Sequence, residues 1–365
     1  MNKNDLLLVY GSDERIMTEA LLTHMGIEAM IGSKDARIAL KPNLVVAVKP
    51  ESGATTHPGI LVAIIEHLQK RGYHNISIVE SAWVGDSTKE GFRVNGYPQI
   101  SKQYHVPLID VKDDEYVKKT VDGITMEVSK TILETDFLIS LPVLKGHCQT
   151  AMTCALKNMK GCLSDRSKRL FHTLGLHRPI AALNKVRAAD LVIVDSINGD
   201  LDFEEGGNPV ETNRMFACTD SVLCDSYGAS LMGFELRDVP YIELAEQLGV
   251  GNTDLEKANL IQLNEPSEEA PHRPTGRANY LGKHTEADSA CSACYGNLIH
   301  ALKRLDEVNR LKKLNQPICI GQGFKGVSDP NKVGVGICTR GLGKSLPGCP
   351  PKAIDMIKFI KELND

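Results

Sequence analysis

The chain has 365 residues, 42% of them hydrophobic and 24% charged, with a formal net charge of -4. These are the proportions of a soluble globular protein long enough for more than one folded unit, and the slight negative charge gives no overall attraction to nucleic acid or an anionic membrane. Any anion site must therefore be local.

The apolar run at the N-terminus stops at Gly11. It is too short for a signal-peptide core, and no later run approaches the roughly 18 apolar residues of a membrane span, so a cytoplasmic location is expected. Ten cysteines without a secretory signal point to thiol, metal or redox use and away from a disulfide framework.

Along the chain, short β-branched runs alternate with amphipathic ones. LLLVY (6–10), RIALKPNLVVAV (37–48), NISIVES (75–81) and VPLIDV (106–111) predict strands, while GILVAIIEHLQKRG (59–72) predicts a helix opened by Pro58 and closed near Gly72. DFLISLPVL (136–144) and DLVIVDSI (190–197) predict two more buried strands, and MFACTDSVLCDSYGASLMG (215–233) a strand followed by a helix. This alternation predicts an α/β fold, a mostly parallel sheet flanked by helices, over residues 1–263.

Within that lobe, residues 141–170 carry Lys145, Lys157, Lys160, Arg166, Lys168 and Arg169 against one acid, Asp165. A local basic patch after a buried strand suits an anionic ligand, because open α/β sheets bind ligands beyond the carboxyl ends of their strands. Lys145 and His147 are expected on the strand-exit loop, with Lys157 and Asn158 on or near the next helix. Lys160, Lys168 and Arg169 are expected on a solvated face. Cys148, Cys154 and Cys162 match no common ligand spacing and read as core. His172 and His177 read equally as acid/base groups or polar surface. Beyond the next strand, Asp195 heads an acidic series with Asp200, Asp202, Glu204 and Glu205; it could hold a divalent cation, but a solvated loop is the expectation for the last four.

Residues 264–285, rich in proline and charge, read as a linker or surface connection. A smaller C-terminal α/β metal-binding lobe is expected over 286–365. Its signal is Cys291-Ser-Ala-Cys294 with Cys338 and Cys349, separated by 2, 43 and 10 residues. The pair precedes a helix with Leu298, Leu302, Leu305 and Val308 on one face, and Cys349 precedes Pro350, Pro351 and another helical run. Helix N-termini favour thiolates and negative clusters. Four thiolates suit an iron–sulfur cluster, 4Fe–4S above all, with zinc as the alternative. Cys319 is a possible substitute ligand but reads as a small buried hydrophobe. Gly321, Gly323 and Gly326 match the spacing of a dinucleotide loop, yet Pro330 follows where a helix would have to run, so no nucleotide site is expected.

Lys41-Pro42-Asn43, Thr56-His57-Pro58, Glu80-Ser81, LPVLKGH (141–147), LKNMKG (156–161), His172, VDSINGD (194–200) and TDSVLCDSYGASLMG (219–233) occur together and in order. In this the chain resembles domain-of-unknown-function family 362 over roughly residues 38–250, and the cysteine elements resemble the C-terminal extension of some members. The resemblance implies shared polar positions at Lys41, Asn43, Thr56, His57, Lys145, His147, Lys157, Asn158, His172, Asp195, Asp220 and Asp225, and an association with iron–sulfur clusters. Glu80 stands where an aspartate is common, Ser196 and GGNPV replace a more glycine-rich pattern, and the compact ferredoxin run of other members is absent.

Chemically, Lys41, Lys145 and Lys157 can clamp a carboxylate or phosphate, and Asn43, Thr56, Asn158 and Asp195 can complete its surroundings. Lys145, His147, His172 and His57 are the candidates for proton transfer. The expected function is an iron–sulfur redox protein or oxidoreductase working on a small anionic ligand with an electron-transfer partner protein. A non-redox α/β enzyme on a phosphorylated or carboxylated metabolite, with a structural cluster or zinc, is the alternative, as is a cluster-maturation factor.

Overall fold

The computed structural model describes residues 1–266 and 273–364. In chain order the strands of the first lobe are β1 (Asp5–Tyr10), β2 (Ile38–Lys41), β3 (Ile76–Glu80), β4 (Leu108–Asp110), β5 (Tyr116–Val121), β6 (Ile124–Ser129), β7 (Phe137–Ser140), β8 (Lys145–His147), β9 (Ala151–Thr153), β10 (Leu191–Asp200), β11 (Pro209–Cys218) and β12 (Asn259–Gln262). Among the described residues, eight of these form one sheet in the order β12-β1-β11-β10-β7-β2-β3-β4. Every neighbouring pair is parallel except those made by β11, which is antiparallel to both β1 and β10.

Strand residues alternate between two apolar layers. Leu7 and Val9 of β1 join Ile38, Leu40, Ile76 and Ile78 under the Pro58–Lys70 helix, while Leu6 and Leu8 join Ala39, Val79 and Leu138 on the opposite face. Period-two alternation with both faces covered is what buries a sheet of this kind. The helix at 58–70 begins with Pro58 at its first position, where the missing N–H costs nothing.

Prolines end the strands earlier than their apolar runs do. β2 stops at Lys41 before Pro42 and β7 at Ser140 before Pro142, since proline cannot donate to a ladder. Both neighbouring strands therefore release their chains at the same carboxyl end of the sheet, where the site forms. The β5–β6 hairpin was not among the expected strands. Its turn is Asp122-Gly123, both with positive φ (52° and 72°), the signature of a two-residue hairpin turn.

The second lobe has β13 (Thr285–Ala287), β14 (Ile318–Ile320), β15 (Asp329–Val335) and β16 (Leu342–Leu346), all parallel. They pack against the helices Ser292–Glu307 and Ala353–Asn364 through Leu298, Leu302, Leu305, Val335, Met356 and Ile360. Val308 is a correction to the expected apolar face: it caps the helix C-terminus and is 59% exposed. The expected linker holds a short helix, Arg277–Gly282, and its residues 267–272 lie outside the described residues. After β14 the chain enters the short 3-10 turn Gln322–Phe324 instead of the helix a dinucleotide loop would open. Phe203 and Cys148 of the first lobe belong to the second lobe's apolar cluster, so the two share a packed boundary.

Where β8 crosses the chain after β10, a Cβ on Gly146 would overlap the backbone carbonyl of Leu201. Gly146→Ala is accordingly expected to cost about 1–3 kcal/mol through overpacking, measured by chemical denaturation of the variant beside wild type.

Candidate active site

Lys145 and His147 lie on β8, not on an exposed exit loop; both are buried, and β8 pairs antiparallel with β9. The cause is the segment after β10, which folds back over the hairpin and brings Glu204 against it. Glu204 Oε2 lies 2.9 Å from His147 Nε2, its Oε1 lies 2.5 Å from Lys157 Nζ, and its backbone carbonyl accepts from Lys145 Nζ at 2.9 Å. His147 Nδ1 accepts from the N–H groups of Gln149 and Thr150, so Nε2 carries the proton given to Glu204. Burial pushes the His147 pKa down to about 4. Burial alone would raise Glu204, but His147, Lys157 and Lys145 hold it well below the carboxylate range. Glu204 is thus an enclosed counter-ion, which corrects its expected place on a solvated loop.

Lys145 is enclosed as well. Burial lowers its pKa to about 7, yet its ammonium meets three acceptors, Asn43 Oδ1 and the carbonyls of Ala54 and Glu204, a set that favours the charged form. Lys41 pairs with Glu80 at 2.8 Å, both buried. A Cβ on Gly161 would overlap the Glu80 carboxylate, so the backbone there approaches that pair as only glycine allows.

Thr56 is fully buried, donating to the Leu141 carbonyl and accepting from Asn43 N–H. Asn43 and Asn158 hydrogen-bond to each other at 3.0 Å, and Asn158 also donates to Ser140. His57 pairs with buried Asp195 at 2.8 Å. Burial opposes a charged His57, but the Asp195 carboxylate outweighs it and the pKa rises. Asp220 and Asp225 act on the backbone: Asp220 caps the Ser221–Leu231 helix, and Asp225 accepts from the N–H groups of Ala155 and Leu156.

A cavity of about 60 Å³ opens among these groups, lined by Asn43, Glu80, Lys157, Asn158, Lys160, Lys168, His172, Glu204, Cys291 and Ser292, with Trp83 and Val84 also on its wall. That volume holds a few waters or a small anion. Lys41, Thr56, His57, Lys145, His147 and Asp195 do not line it; Lys41, Thr56, Lys145 and His147 brace residues that do, while His57 and Asp195 pair with each other.

Lys160 and Lys168 were expected in solvent, and the fold turns both inward. Lys168 is buried and donates to Ser81 Oγ at 2.5 Å and to the Ala82 carbonyl at 2.7 Å; burial lowers its pKa to about 8. Lys160, lowered by burial to about 7, has only His172 Nε2 at 3.4 Å and, among the described residues, no carboxylate partner. His172 Nε2 also faces Ser292 N–H at 3.4 Å and Ser292 Oγ at 3.3 Å, and burial holds its pKa well below the ordinary value. The 141–170 segment hides this arrangement because a charge run shows its own charges and not the distant acceptors, Ser81 and Glu204 above all, that draw them inside.

Of the four cysteines of the second lobe, Cys291 lines the cavity, and Cys338 and Cys349 are close enough to act on its thiol. Cys291 is the N-cap of the Ser292–Glu307 helix, which places Cys294 in its first turn. Burial raises the Cys291 thiol, and Cys338 and Cys349 raise it further; Cys294 is pushed up to about 12 by burial and then by the other three. Among the described residues, no three of these sulfurs lie within 4.8 Å of one another. Four thiols within electrostatic reach of one another are a donor set that a four-thiolate centre, iron–sulfur or zinc, would use. Gln322 Nε2 approaches Cys291 Sγ at 3.7 Å, the kind of outer contact that orients a ligand sulfur.

Cys319 is buried at 1% exposure, and Cys154 and Cys162 are fully buried. Cys154, Cys224 and Asp225 bring potential ligand atoms within 4.8 Å, with Asp225 already held by two backbone N–H groups.

The molecule is thus a mixed α/β protein whose buried lysine cavity abuts a four-cysteine lobe. A family profile, Domain of unknown function (DUF362), matches residues 38–230, and the chain belongs to that family. The Thylakoid-associated protein sll1697 of Synechocystis sp. is 25% identical over 236 residues, 60% of this chain and 70% of that protein. Among solved structures, the lactate racemase apoprotein from Thermoanaerobacterium thermosaccharolyticum is similar at a TM-score of 0.44 and 13% identity, over 62% of this chain and 56% of that one. A structural-genomics target protein from Thermotoga maritima gives 0.39 and 13%, over 65% and 60%. The chain spans less than two thirds of either structure's length. Among the described residues no helix is long and apolar enough to cross a membrane.

Glu205, beside Glu204, packs near Gly296 of the cysteine-bearing helix with neither carboxylate oxygen hydrogen-bonded among the described residues. Burial pushes its pKa from 4.5 to about 7. A carboxyl raised on folding contributes stability that is full below the unfolded pKa and is lost as pH climbs through the folded one. Glu205→Gln is expected to gain stability over wild type between pH 4.5 and 7, by at most about 3 kcal/mol, read from urea midpoints across that range.

Proposed function

We infer that the protein is an iron–sulfur redox protein in which a 4Fe–4S cluster, held by Cys291, Cys294, Cys338 and Cys349, exchanges electrons with a small anionic ligand in the lysine cavity. The observation that carries this reading is the shared wall: Cys291 and Ser292 line the same cavity as Lys157, Lys160, Lys168 and His172. The field of Lys160 reaches Cys291. When bound, the cluster supplies one-electron transfer.

The chain's own residues do the rest. Lys160, with donors to spare, is the group that would take the ligand's negative charge, while Lys157 is held to Glu204 and Lys168 to Ser81 and Ala82. Asn43 and Asn158 can hydrogen-bond a carboxylate or phosphate oxygen. His172, held neutral by burial and receiving Lys160 and Ser292 at Nε2, is placed to take a proton there, with Lys160 as its source or sink. Lys145, His147 and His57 are positioning groups in this scheme.

The test is the iron, sulfide and zinc content of anaerobically purified chain. About four irons and four sulfides per chain, lost together in Cys291→Ser and Cys349→Ser, are expected. One zinc, or no metal in wild type, would contradict the reading. With iron retained, Lys160→Met is expected to weaken binding of a small dicarboxylate or inorganic phosphate at least tenfold by calorimetry.

A further inference from the structure

The cysteine set has an inner and an outer edge. Cys291 faces the cavity, whereas Cys349 is exposed and Cys338 half-buried. The two outer cysteines sit on adjoining turns, since Ile337 N–H donates to the Gly348 carbonyl at 2.9 Å. Ile337, the neighbour of Cys338 in sequence, is 50% exposed, and Ile354, at the start of the helix after Cys349, is 54% exposed.

The stretch of chain that carries them is basic. Residues 325–362 contain seven lysines and arginines, at 325, 332, 340, 344, 352, 358 and 361, against Asp329, Asp355 and Glu362, in a chain that is negative overall. Lys332 is paired with Glu286. Lys325, Arg340, Lys344 and Lys352 are exposed and, among the described residues, none forms an ion pair with a carboxylate. Lys325 donates to Gln322 Oε1 at 3.1 Å, and Gln322 Nε2 approaches Cys291 Sγ at 3.7 Å, which ties this basic stretch to the cysteine set.

We propose that this outer edge is the docking surface for an acidic electron-carrier protein, which exchanges electrons through the Cys338–Cys349 side while the Cys291 side serves the cavity. The proposal rests on the cluster reading above. An apolar centre with a basic rim fits a folded acidic protein, because apolar contact supplies the interface core and opposite charge steers encounter. A nucleic acid backbone would use the rim and leave Ile337 and Ile354 uncovered. One electron passes per encounter: the carrier, for example a flavodoxin hydroquinone, is oxidised by one electron to its semiquinone as the oxidised cluster is reduced by one.

The experiment uses the full, anaerobically loaded chain and an acidic flavodoxin as probe. Binding is followed by calorimetry and cluster reduction by stopped flow, for wild type and the triple variant Lys325→Glu/Arg340→Glu/Lys352→Glu, from low to high salt. The expected result is a rate and an affinity that fall with salt and are at least tenfold lower in the variant, with iron content and the dithionite-reduced EPR signal unchanged. A wild-type chain without iron overturns the cluster reading beneath the proposal. Full iron with binding indifferent to charge reversal and salt overturns the docking surface alone, as does tighter binding of a single-stranded oligonucleotide than of flavodoxin.

Discussion

A single enclosed carboxylate, Glu204, ties the first lobe's chemistry together. Buried ions survive only when opposite charge and hydrogen bonds surround them, and removing one member leaves the others uncompensated. Glu204 meets Lys157 on one oxygen and His147 on the other, while its main-chain carbonyl takes Lys145. The continuous stretch of the β8–β9 hairpin and the helix at 155–158 is fixed by that residue to the distant chain between β10 and β11. A second buried pair, Lys41–Glu80, does the same for the ends of β2 and β3. With these charges neutralised internally, Lys160 is left as the cavity cation with capacity for a ligand.

The position of the cavity follows from the sheet. Prolines end β2 and β7 at the same carboxyl end of the sheet, and the released loops carry Asn43, Thr56 and Leu141 into contact. The second lobe closes the opening by placing the first turn of a helix, with Cys291 and Ser292, against His172. Lobe packing and site formation are therefore one event. The unpartnered Glu205 carboxyl near Gly296 lies at the same boundary, where a low-dielectric seam penalises charge.

Much of this was legible in the sequence, and the failures have physical causes. Apolar alternation located the parallel strands and the Pro58 helix. The β5–β6 hairpin was missed although Asp122-Gly123 announces it. Lys160, Lys168 and Glu204 were misplaced in solvent because burial of a charge depends on partners up to 87 residues away, as with Lys168 and Ser81. Lys145 and His147, expected on a strand-exit loop, lie on the short buried strand β8, since a short hairpin covered by a returning loop leaves no period to read. Val308 continued an apolar stripe past the point where the helix stops.

The central claim is that lysine cavity and cysteine set are one site. The most direct measurement is the low-temperature EPR spectrum of the dithionite-reduced chain, wild type against Lys160→Met, with and without a small dicarboxylate. The account predicts a cluster signal whose g-values shift on adding the anion in wild type and do not shift in the variant. A signal identical in all four samples, at equal iron content, would separate the two halves and contradict it.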